Sequence, residues 1–549
     1  MTSNRDDSEI ALSDRSRPVP ADSTESGGLL EQSFRSVGQG TAIMAMTTLI
    51  LFSLNLVARV WAARELTVAE YGTYSLAISF TGLVSIVGLL GLNQATARSL
   101  AYETDPGERR AIIRWSLGVA AAVSFLLSLS VFLLAGPLSL LFHYPALEGV
   151  FQLLAVTVGF GSMTPVMGAT FQGFHDVFPN AIFNQVVNPV LFLVFVVLLL
   201  GLDLNLLGLL IAYVIGDGAA FVGLAIYAYY RLPRLVPRDV PTPRRPKPQL
   251  WRLTVALWGV TSFAYITAFA DTIILGFFRP VDQVGYYSTS MTLARVLLMG
   301  ASALTFIFLP VTARLARNRA YGELGETYVT STRWVLFLTV PLFLIFTITP
   351  NLVIDLLFGP KYLPSVAPLQ ILAVTAFVAT LMGPVNATLA GLGRARNQVV
   401  TATVSAVTNI ALSFSFIPIF GIFGAAASWG VARALYPGLG LSLLWRSYSI
   451  TPFRRILLRP LFATFAVAVP MLLVVEFVFP NKFLVIPMFF LISLVYLAAI
   501  LLTRSLVPGD AVIISTAERF LGRPLPYARQ VFDRFVVAPK LRDVDGRPS

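Results

Sequence analysis

Five charged side chains lie inside apolar segments that are otherwise long enough to cross a membrane. These residues are Arg59, Asp217, Asp271, Arg295 and Arg433. A charge near the bilayer centre costs roughly 2.5–3.5 kcal/mol on insertion scales. Each of these side chains must therefore face water, an opposite charge or a ligand. The three arginines indicate a possible site for an anionic group.

Spacing adds a polar face to the first of these segments. Asn55 and Arg59 are four residues apart, so they share one side of a helix. The alternative for Arg59 is a place near the end of its helix, from which it extends to the membrane surface. Arg295 lies deeper in its own segment. Its alternative role is a structural ion pair with Asp271 on the preceding segment.

The composition is that of a helical membrane protein. Of the 549 residues, 56% are hydrophobic and only 12% are charged, which is about half the charged fraction of a soluble chain. Apolar stretches of about 20 residues recur along nearly the whole chain, which predicts an all-α polytopic membrane protein. The absence of cysteine excludes disulfides and thiol catalysis. With only two histidines, on different loops, we expect no metal site and no cofactor.

The predicted topology has about fourteen transmembrane helices. Their predicted bounds are 41–63, 72–97, 111–135, 147–171, 178–201, 207–230, 251–278, 284–310, 333–358, 365–391, 398–420, 421–446, 460–479 and 484–503. With the N-terminus in the cytoplasm, arginines concentrate in the inner loops, as the positive-inside rule requires. The outer loops then hold only Arg64, Arg279, Lys361 and Lys482. We therefore expect a multi-pass protein of the cell membrane with both termini in the cytoplasm.

The net charge of +12 follows this topology. The basic residues are spread over inner loops and tails, and they form no face of a soluble domain. We therefore expect membrane lipids as partners, through their anionic headgroups, and no nucleic acid.

A segment rich in proline and arginine divides the helices into six and eight. The predicted organisation is a disordered cytoplasmic tail (1–40), an N-lobe of helices 1–6 (41–230), a cytoplasmic linker (231–250), a C-lobe of helices 7–12 (251–446), helices 13–14 (460–503) and a basic cytoplasmic tail (504–549). The first tail is polar throughout. The first apolar stretch begins too late for a signal peptide.

Three short motifs recur on both sides of the linker. The aligned pairs are Gly72 with Gly285, Arg98 with Arg314, and Gly208 with Gly424, at offsets of 213, 216 and 216. The near-constant offset indicates a repeat of six helices, with chance similarity of apolar helices as the alternative. An even number of helices makes the repeat parallel. Two such lobes leave a cleft between them, as in transporters that use alternating access.

The repeat bears on two details. Asp217 and Arg433 occupy nearly equivalent positions in the two copies of the repeat. Their correspondence favours either a polar site that stabilises each lobe or a role in gating or proton coupling. In the motifs YGTYS and VGYYS, we expect Gly72 and Gly285 to permit a tight start of a helix, and the tyrosines to lie at the membrane interface.

Four stretches carry a family resemblance. They are ARVWAARELTVAEYGTYSLA, DTIILGFFRPVDQVGYYSTSMTLARVLL, FGPKYLPSVAPLQILAV and LAGLGRARNQVVTATVSAVTNIALSFSFIPIFGIFGAAAS. The chain resembles the polysaccharide-transporter (Wzx-type) oligosaccharide flippases over roughly residues 35–505. These belong to the multidrug/oligosaccharidyl-lipid/polysaccharide (MOP) exporter superfamily. The resemblance implies a MATE-like fold of two six-helix lobes and two C-terminal helices around a V-shaped cavity.

The resemblance also implies a function. A flippase of this family moves a lipid-linked oligosaccharide of the polyprenyl-pyrophosphate type from the inner to the outer leaflet by alternating access, and it is not an enzyme. Glycan-assembly enzymes are possible partners. Another MOP-type exporter, for drugs or a lipid precursor, is the alternative. A membrane O-unit polymerase is disfavoured, because every outer loop is short and none holds a pair of acids.

Two departures favour the oligosaccharide class. MATE proteins commonly carry a carboxylate in the first helix, whereas here no acid follows until Glu65. Lipid II flippases tend to show an Arg-Asp pair there, whereas here Val60 follows Arg59. The cation-rich cavity would hold the pyrophosphate, and amides would bind sugar hydroxyls. The candidates for this cavity are Asn55, Arg59, Asn93, Gln94, Asp217, Asp271, Arg295 and Arg433.

Overall fold

The structure is a computed structural model, and it describes residues 52–237, 241, 243, 248–506, 526, 529, 530 and 534. The predicted N-terminal tail, residues 238–240, 242 and 244–247 of the linker and nearly all of the C-terminal tail lie outside the described residues. The described chain is almost entirely helical, which confirms the predicted all-α membrane fold.

Helices α1 to α9 precede the linker. They are α1 (52–65), α2 (Val68–Leu89), α3 (Leu92–Tyr102), α4 (Pro106–Leu133), α5 (Ala135–Leu141), α6 (Leu147–Gly173), α7 (Phe178–Asn180), a π-helix (Ala181–Val187), α8 (Asn188–Leu200) and α9 (Asn205–Leu235).

Helices α10 to α19 follow the linker. They are α10 (Pro248–Phe278), α11 (Val281–Arg317), α12 (Tyr321–Ile348), α13 (Pro350–Leu357), a 3-10 helix (Pro360–Ser365), α14 (Val366–Leu381), α15 (Val385–Gly391), α16 (Ala395–Phe420), α17 (Ile422–Tyr448), α18 (Arg455–Phe477), a 3-10 helix (Lys482–Leu484) and α19 (Val485–Leu502).

Each predicted span overlaps one helix or a run of consecutive helices. Within the described residues, nine helical segments are long and apolar enough to cross a membrane. Helices α11 and α17 are not among those nine, and they carry Arg295 and Arg433. The count of fourteen crossings stays a prediction.

The predicted span 178–201 is not a uniform helix. It begins as α7, continues as the π-helix Ala181–Val187 and ends as α8. Pro189, near the start of α8, has no backbone N–H and cannot complete the helical hydrogen-bond ladder. The wider π turn accommodates this break. It also shifts the helix face on which the following side chains lie, beginning with Asn188.

Helices α2 and α11 pack backbone against backbone at two glycines. A Cβ atom on Gly285 would lie 2.5 Å from the carbonyl oxygen of Val68, and one on Gly72 would overlap the carbonyl oxygen of Val281. Both glycines lie inside their helices rather than at a helix start, so the expectation for them was wrong. Their role is to let the equivalent helices of the two halves approach closely.

Helices α18 and α19 are tied to the rest of the second half by side-chain contacts. The buried Tyr496 donates a 3.5 Å hydrogen bond to the carbonyl oxygen of Arg333 on α12. Asn351 donates to Glu476 at 2.8 Å. A salt bridge of 2.9 Å joins Lys482 to Asp355.

Candidate functional site

Arg59 lies inside the helical bundle, beside three tyrosines. Its guanidinium is near Tyr71 and Tyr74 of α2 and Tyr213 of α9. The side chains of Tyr71 and Tyr74 are buried, with ring centroids 6.2 Å apart, and the Tyr74 and Tyr213 rings meet edge to face at 6.3 Å. Within the described part of the chain, Arg59 forms no ion pair. Its surroundings are therefore phenolic hydroxyls and rings rather than carboxylates.

Asp217 lies next to this tyrosine cluster. It is on α9, one turn after Tyr213, and the two side chains are close enough to hydrogen-bond. The Nδ2 atom of Asn188 donates a 2.6 Å hydrogen bond to Asp217 Oδ1. The carboxylate is thus held by two neutral donors on α8 and α9.

Asp271 on α10 is 1% exposed and pairs with a tyrosine. The hydroxyl of Tyr287 on α11 donates a hydrogen bond to Asp271 Oδ2. The other carboxylate oxygen, Oδ1, is buried and accepts no hydrogen bond from a described residue. Tyr287 corresponds to Tyr74 at the offset of 213, so each half of the chain places an equivalent buried tyrosine in this region.

Arg295 on α11 lies near two other charged groups, Arg59 and Asp271. Its Nη2 is 3.5 Å from the carbonyl oxygen of Ala268, and its guanidinium is within electrostatic reach of both Arg59 and Asp271. No direct ion pair of Arg295 with Asp271 is present among the described residues, and the one hydrogen bond to the carboxylate from a side chain comes from Tyr287. Arg59 and Arg295 therefore approach each other as two like charges from opposite halves of the chain.

The remaining charged candidate stands apart. Arg433 on α17 is half-buried beside Tyr436, and in the described structure it forms no ion pair with Asp217, its counterpart in the repeat. Asn55 lies one turn before Arg59 on α1.

The two amide candidates line a separate cavity. Asn93 and Gln94 on α3 are part of the wall of a 430 Å³ cavity. The other lining residues come from α3, α6 and the end of α7, and they are Ala97, Arg98, Pro165, Ala169, Gln172 and Asn180. The described residues contain no group of three or more His, Asp or Glu side chains that could hold a metal ion.

A cationic clamp joins the two halves of the chain near the start of α2. Lys361 Nζ donates hydrogen bonds of 2.6 Å to the carbonyl oxygens of Arg64 and Leu66, at the end of α1. In return, Arg64 Nε donates a 2.7 Å bond to the carbonyl oxygen of Leu357, and its Nη2 donates to that of Leu356, at the end of α13. Cations at helix C-termini satisfy carbonyls that have no partner within the helix. By the predicted topology this clamp lies on the outer side.

Several members of the site could not be identified from the sequence. The hydroxyl groups of Tyr71, Tyr74, Tyr213 and Tyr287 surround the charges, but aromatic residues in apolar helices are common in cores and at membrane interfaces. Tyr213 and Asp217 are one helical turn apart in the sequence, and this spacing indicates that their side chains are close. Asn188 could not be assigned to a face, because the π-helix shifts the helical register before it.

Comparisons with known proteins agree with this architecture. The sequence profile of the family described as "Polysaccharide biosynthesis protein" matches residues 37–316. An uncharacterized membrane protein of Methanocaldococcus jannaschii is 26% identical over 162 residues, which are 29% of this chain. That alignment spans 32% of the archaeal protein.

Solved structures with the same fold are transporters. The lipid II flippase MurJ in an inward closed conformation has a TM-score of 0.66 at 15% identity, covering 83% of this chain and 97% of that one. An inward-facing multidrug resistance MATE transporter of the MOP superfamily has a TM-score of 0.59 at 13% identity, covering 74% and 98%. A MOP superfamily transporter from Pyrococcus furiosus has a TM-score of 0.54 at 13% identity, covering 75% and 95%.

Proposed function

The chain belongs to the polysaccharide biosynthesis protein family, and from this premise we propose that it moves a lipid-linked oligosaccharide from the inner to the outer leaflet of the cell membrane. The cargo is of the polyprenyl-pyrophosphate type. Both termini are cytoplasmic, and the lobes are residues 41–230 and 251–446, joined by the linker 231–250. Helices 460–503 are an addition to the second lobe.

The observation that carries this proposal is the approach of Arg59 and Arg295. They come from opposite halves of the chain, they lie within electrostatic reach, and neither forms an ion pair with a described carboxylate. Two cations held together in a membrane are stabilised by an anion between them. A pyrophosphate is suited to this place, because guanidinium groups bind phosphate oxygens through paired hydrogen bonds.

Alternating access follows from the same placement. An anion held by one arginine from each half draws the halves together around it, and the ligand shifts the equilibrium by its unequal affinity for the two states. The close α2–α11 crossing at Gly72 and Gly285 joins the two halves directly, and this contact has to change when two similar lobes rock.

A transport assay in liposomes tests the proposal. The probe is undecaprenyl pyrophosphate carrying a fluorescently labelled oligosaccharide, and the readout is the fraction of probe that an impermeant quencher reaches over time. Wild-type protein should move the probe between leaflets. Arg59→Ala and Arg295→Ala should each slow this movement at least tenfold, because a charge-assisted phosphate contact contributes roughly 1.5–3 kcal/mol.

A matched control separates the site from general loss of charge. Arg396 is exposed near the start of α16 and has no described ion pair. Arg396→Ala should transport as wild type does. Full activity of both Arg59→Ala and Arg295→Ala would exclude the arginine site. A wild-type protein that moves no glycan probe would exclude the flippase function.

A second candidate is export of another lipid precursor. It is favoured by the fold shared with the lipid II flippase over 83% of this chain. The same assay with lipid II as the probe distinguishes the two candidates, because the proposed function predicts faster transport of the oligosaccharide probe.

A further inference from the structure

The 430 Å³ cavity in the first half of the chain has an unusual lining. Four of its eight lining residues are amides, namely Asn93, Gln94, Gln172 and Asn180. They come from three different helical segments, so the fold assembles them rather than the local sequence. The volume lies within the range of small-molecule sites.

The amides offer a specific kind of recognition. Each carboxamide presents two donors and one acceptor side by side, the pattern that matches sugar hydroxyl and acetamido groups. The side chains of Gln94 and Gln172 are exposed, so their donors and acceptors are open to a group that enters the cavity.

One amide is held in a fixed orientation. Asn184 Nδ2 donates a 2.7 Å hydrogen bond to Asn180 Oδ1. Gly168 lies directly against this group, because a Cβ atom there would be 2.7 Å from Asn180 Oδ1. The amide hydrogens of Asn180 are bound by no other described residue. The π-helix that contains Asn184 thus positions a donor group at the cavity wall.

Charge and shape narrow the class of ligand. The single charged group of the lining is Arg98, which is exposed and one turn from Gln94 on α3. No aromatic side chain is among the lining residues. The lining therefore favours a ligand whose polar groups form hydrogen bonds with the amides. It has no aromatic ring on which a ligand could stack.

The second half of the chain lacks this lining. At the offset of 216, which relates Arg98 to Arg314 on the same helices, Asn93 and Gln94 correspond to Leu309 and Pro310. The repeat therefore carries the amides on one side only. A packing role common to both halves does not account for them.

We infer that this cavity is a carbohydrate subsite, which binds the hydroxyl and acetamido groups of the glycan while Arg59 and Arg295 bind its pyrophosphate. The inference rests on the proposed function and adds the part of the cargo that the amides recognise. Recognition by the subsite makes affinity depend on the sugars and not on the phosphate alone.

Equilibrium binding to the purified full-length chain in detergent tests the subsite. One probe is undecaprenyl pyrophosphate carrying N,N′-diacetylchitobiose, and the other is undecaprenyl pyrophosphate alone. The double variant Gln94→Ala/Gln172→Ala removes two exposed amides, so folding should not depend on them. Asn180→Ala removes the oriented amide. The control Asn397→Ala removes an amide near the start of α16, which lines neither described cavity.

The wild-type chain should bind the sugar-bearing probe more tightly than the bare one. Each cavity variant should weaken binding of the sugar-bearing probe about three- to tenfold per amide and leave the bare probe unchanged. Asn397→Ala should alter neither. Equal affinities for both probes, or variants that bind the sugar-bearing probe as wild type does, would overturn the subsite and leave the flippase intact. Binding of neither probe by wild type would overturn both.

Discussion

Removal of the Lys361 ammonium group should open the outer side of the protein. Lys361→Met keeps the length of the side chain and removes its donors. In the structure, Lys361 Nζ joins the second half of the chain to the carbonyl oxygens of Arg64 and Leu66 in the first half. When the halves separate on that side, water replaces these bonds, so the variant should lose stability in the closed state only.

The expected size follows from the two hydrogen bonds. Both are 2.6 Å long, and both come from a charged donor. Such bonds contribute more than the usual net value of about 0.5–1.5 kcal/mol each, but solvent screening at an exposed side chain reduces this gain. We expect a total of about 1–2 kcal/mol, which shifts the ratio of open to closed protein roughly 5- to 30-fold.

Distances between spin labels give the readout. The chain has no cysteine, so Leu202→Cys and Phe420→Cys can be labelled without background. These residues are 63% and 56% exposed. Leu202 lies on a predicted outer loop of the first half, and Phe420 lies at the predicted outer end of a helix in the second half. The long distance reports the open state and the short distance reports the closed state. Lys361→Met should raise the ratio of the long-distance to the short-distance population roughly 5- to 30-fold.

Lys482→Met is the matched control for this experiment. Lys482 lines the same 370 Å³ outer cavity as Lys361, but its 2.9 Å salt bridge to Asp355 joins two segments that both follow the linker. Its loss should leave the distance populations unchanged. If both distance populations are visible and Lys361→Met leaves their ratio unchanged, the cationic clamp does not hold the two halves together. Equal shifts in Lys361→Met and Lys482→Met would show that the effect comes from the loss of a positive charge and not from the clamp.

Two further predictions concern topology and packing. Leu202→Cys should react with an impermeant thiol reagent in intact cells, whereas Tyr102→Cys, 81% exposed on a predicted inner loop, should be shielded; the reverse pattern would contradict the assigned orientation. Gly72→Ala and Gly285→Ala should each lower the thermal unfolding midpoint by several degrees, because the new Cβ meets backbone atoms of the opposing helix. Gly322→Ala, whose Cβ meets nothing within 4 Å, should not lower it, and equal midpoints for all three variants would show that the α2–α11 contact can relax.

The helices of this fold could be predicted because long apolar stretches leave few alternatives in a membrane. The repeat also allowed Gly72 and Gly285 to be aligned. Their function could not be predicted, since the sequence does not show that two equivalent helices cross at that point. A glycine at a helix start and one at a helix crossing read alike in sequence, and only the Val68–Gly285 approach distinguishes them.

The candidate site was predictable in its charges and not in its contacts. The five membrane charges stand out against apolar neighbours, but their partners are tyrosines and an asparagine that such segments tolerate. Arg295 and Asp271 are opposite charges on consecutive helices, which made an ion pair the simplest alternative. The structure instead pairs one oxygen of Asp271 with the hydroxyl of Tyr287. A hydroxyl donor carries no charge, so the sequence does not single it out.

The two halves are alike at one helix crossing and different in their polar residues. Gly72 and Gly285 are equivalent residues at this crossing, and each lies against the backbone of the opposite helix. Equivalence fails elsewhere, because Asp217 stands opposite Arg433 in the repeat and Asn93 stands opposite a leucine. A cargo with a phosphate end and a sugar end needs chemically different partners for its two ends. Under the proposed function, the arginines bind the phosphate and the amides bind the sugars, so the polar differences between the halves match the two ends of a lipid-linked glycan.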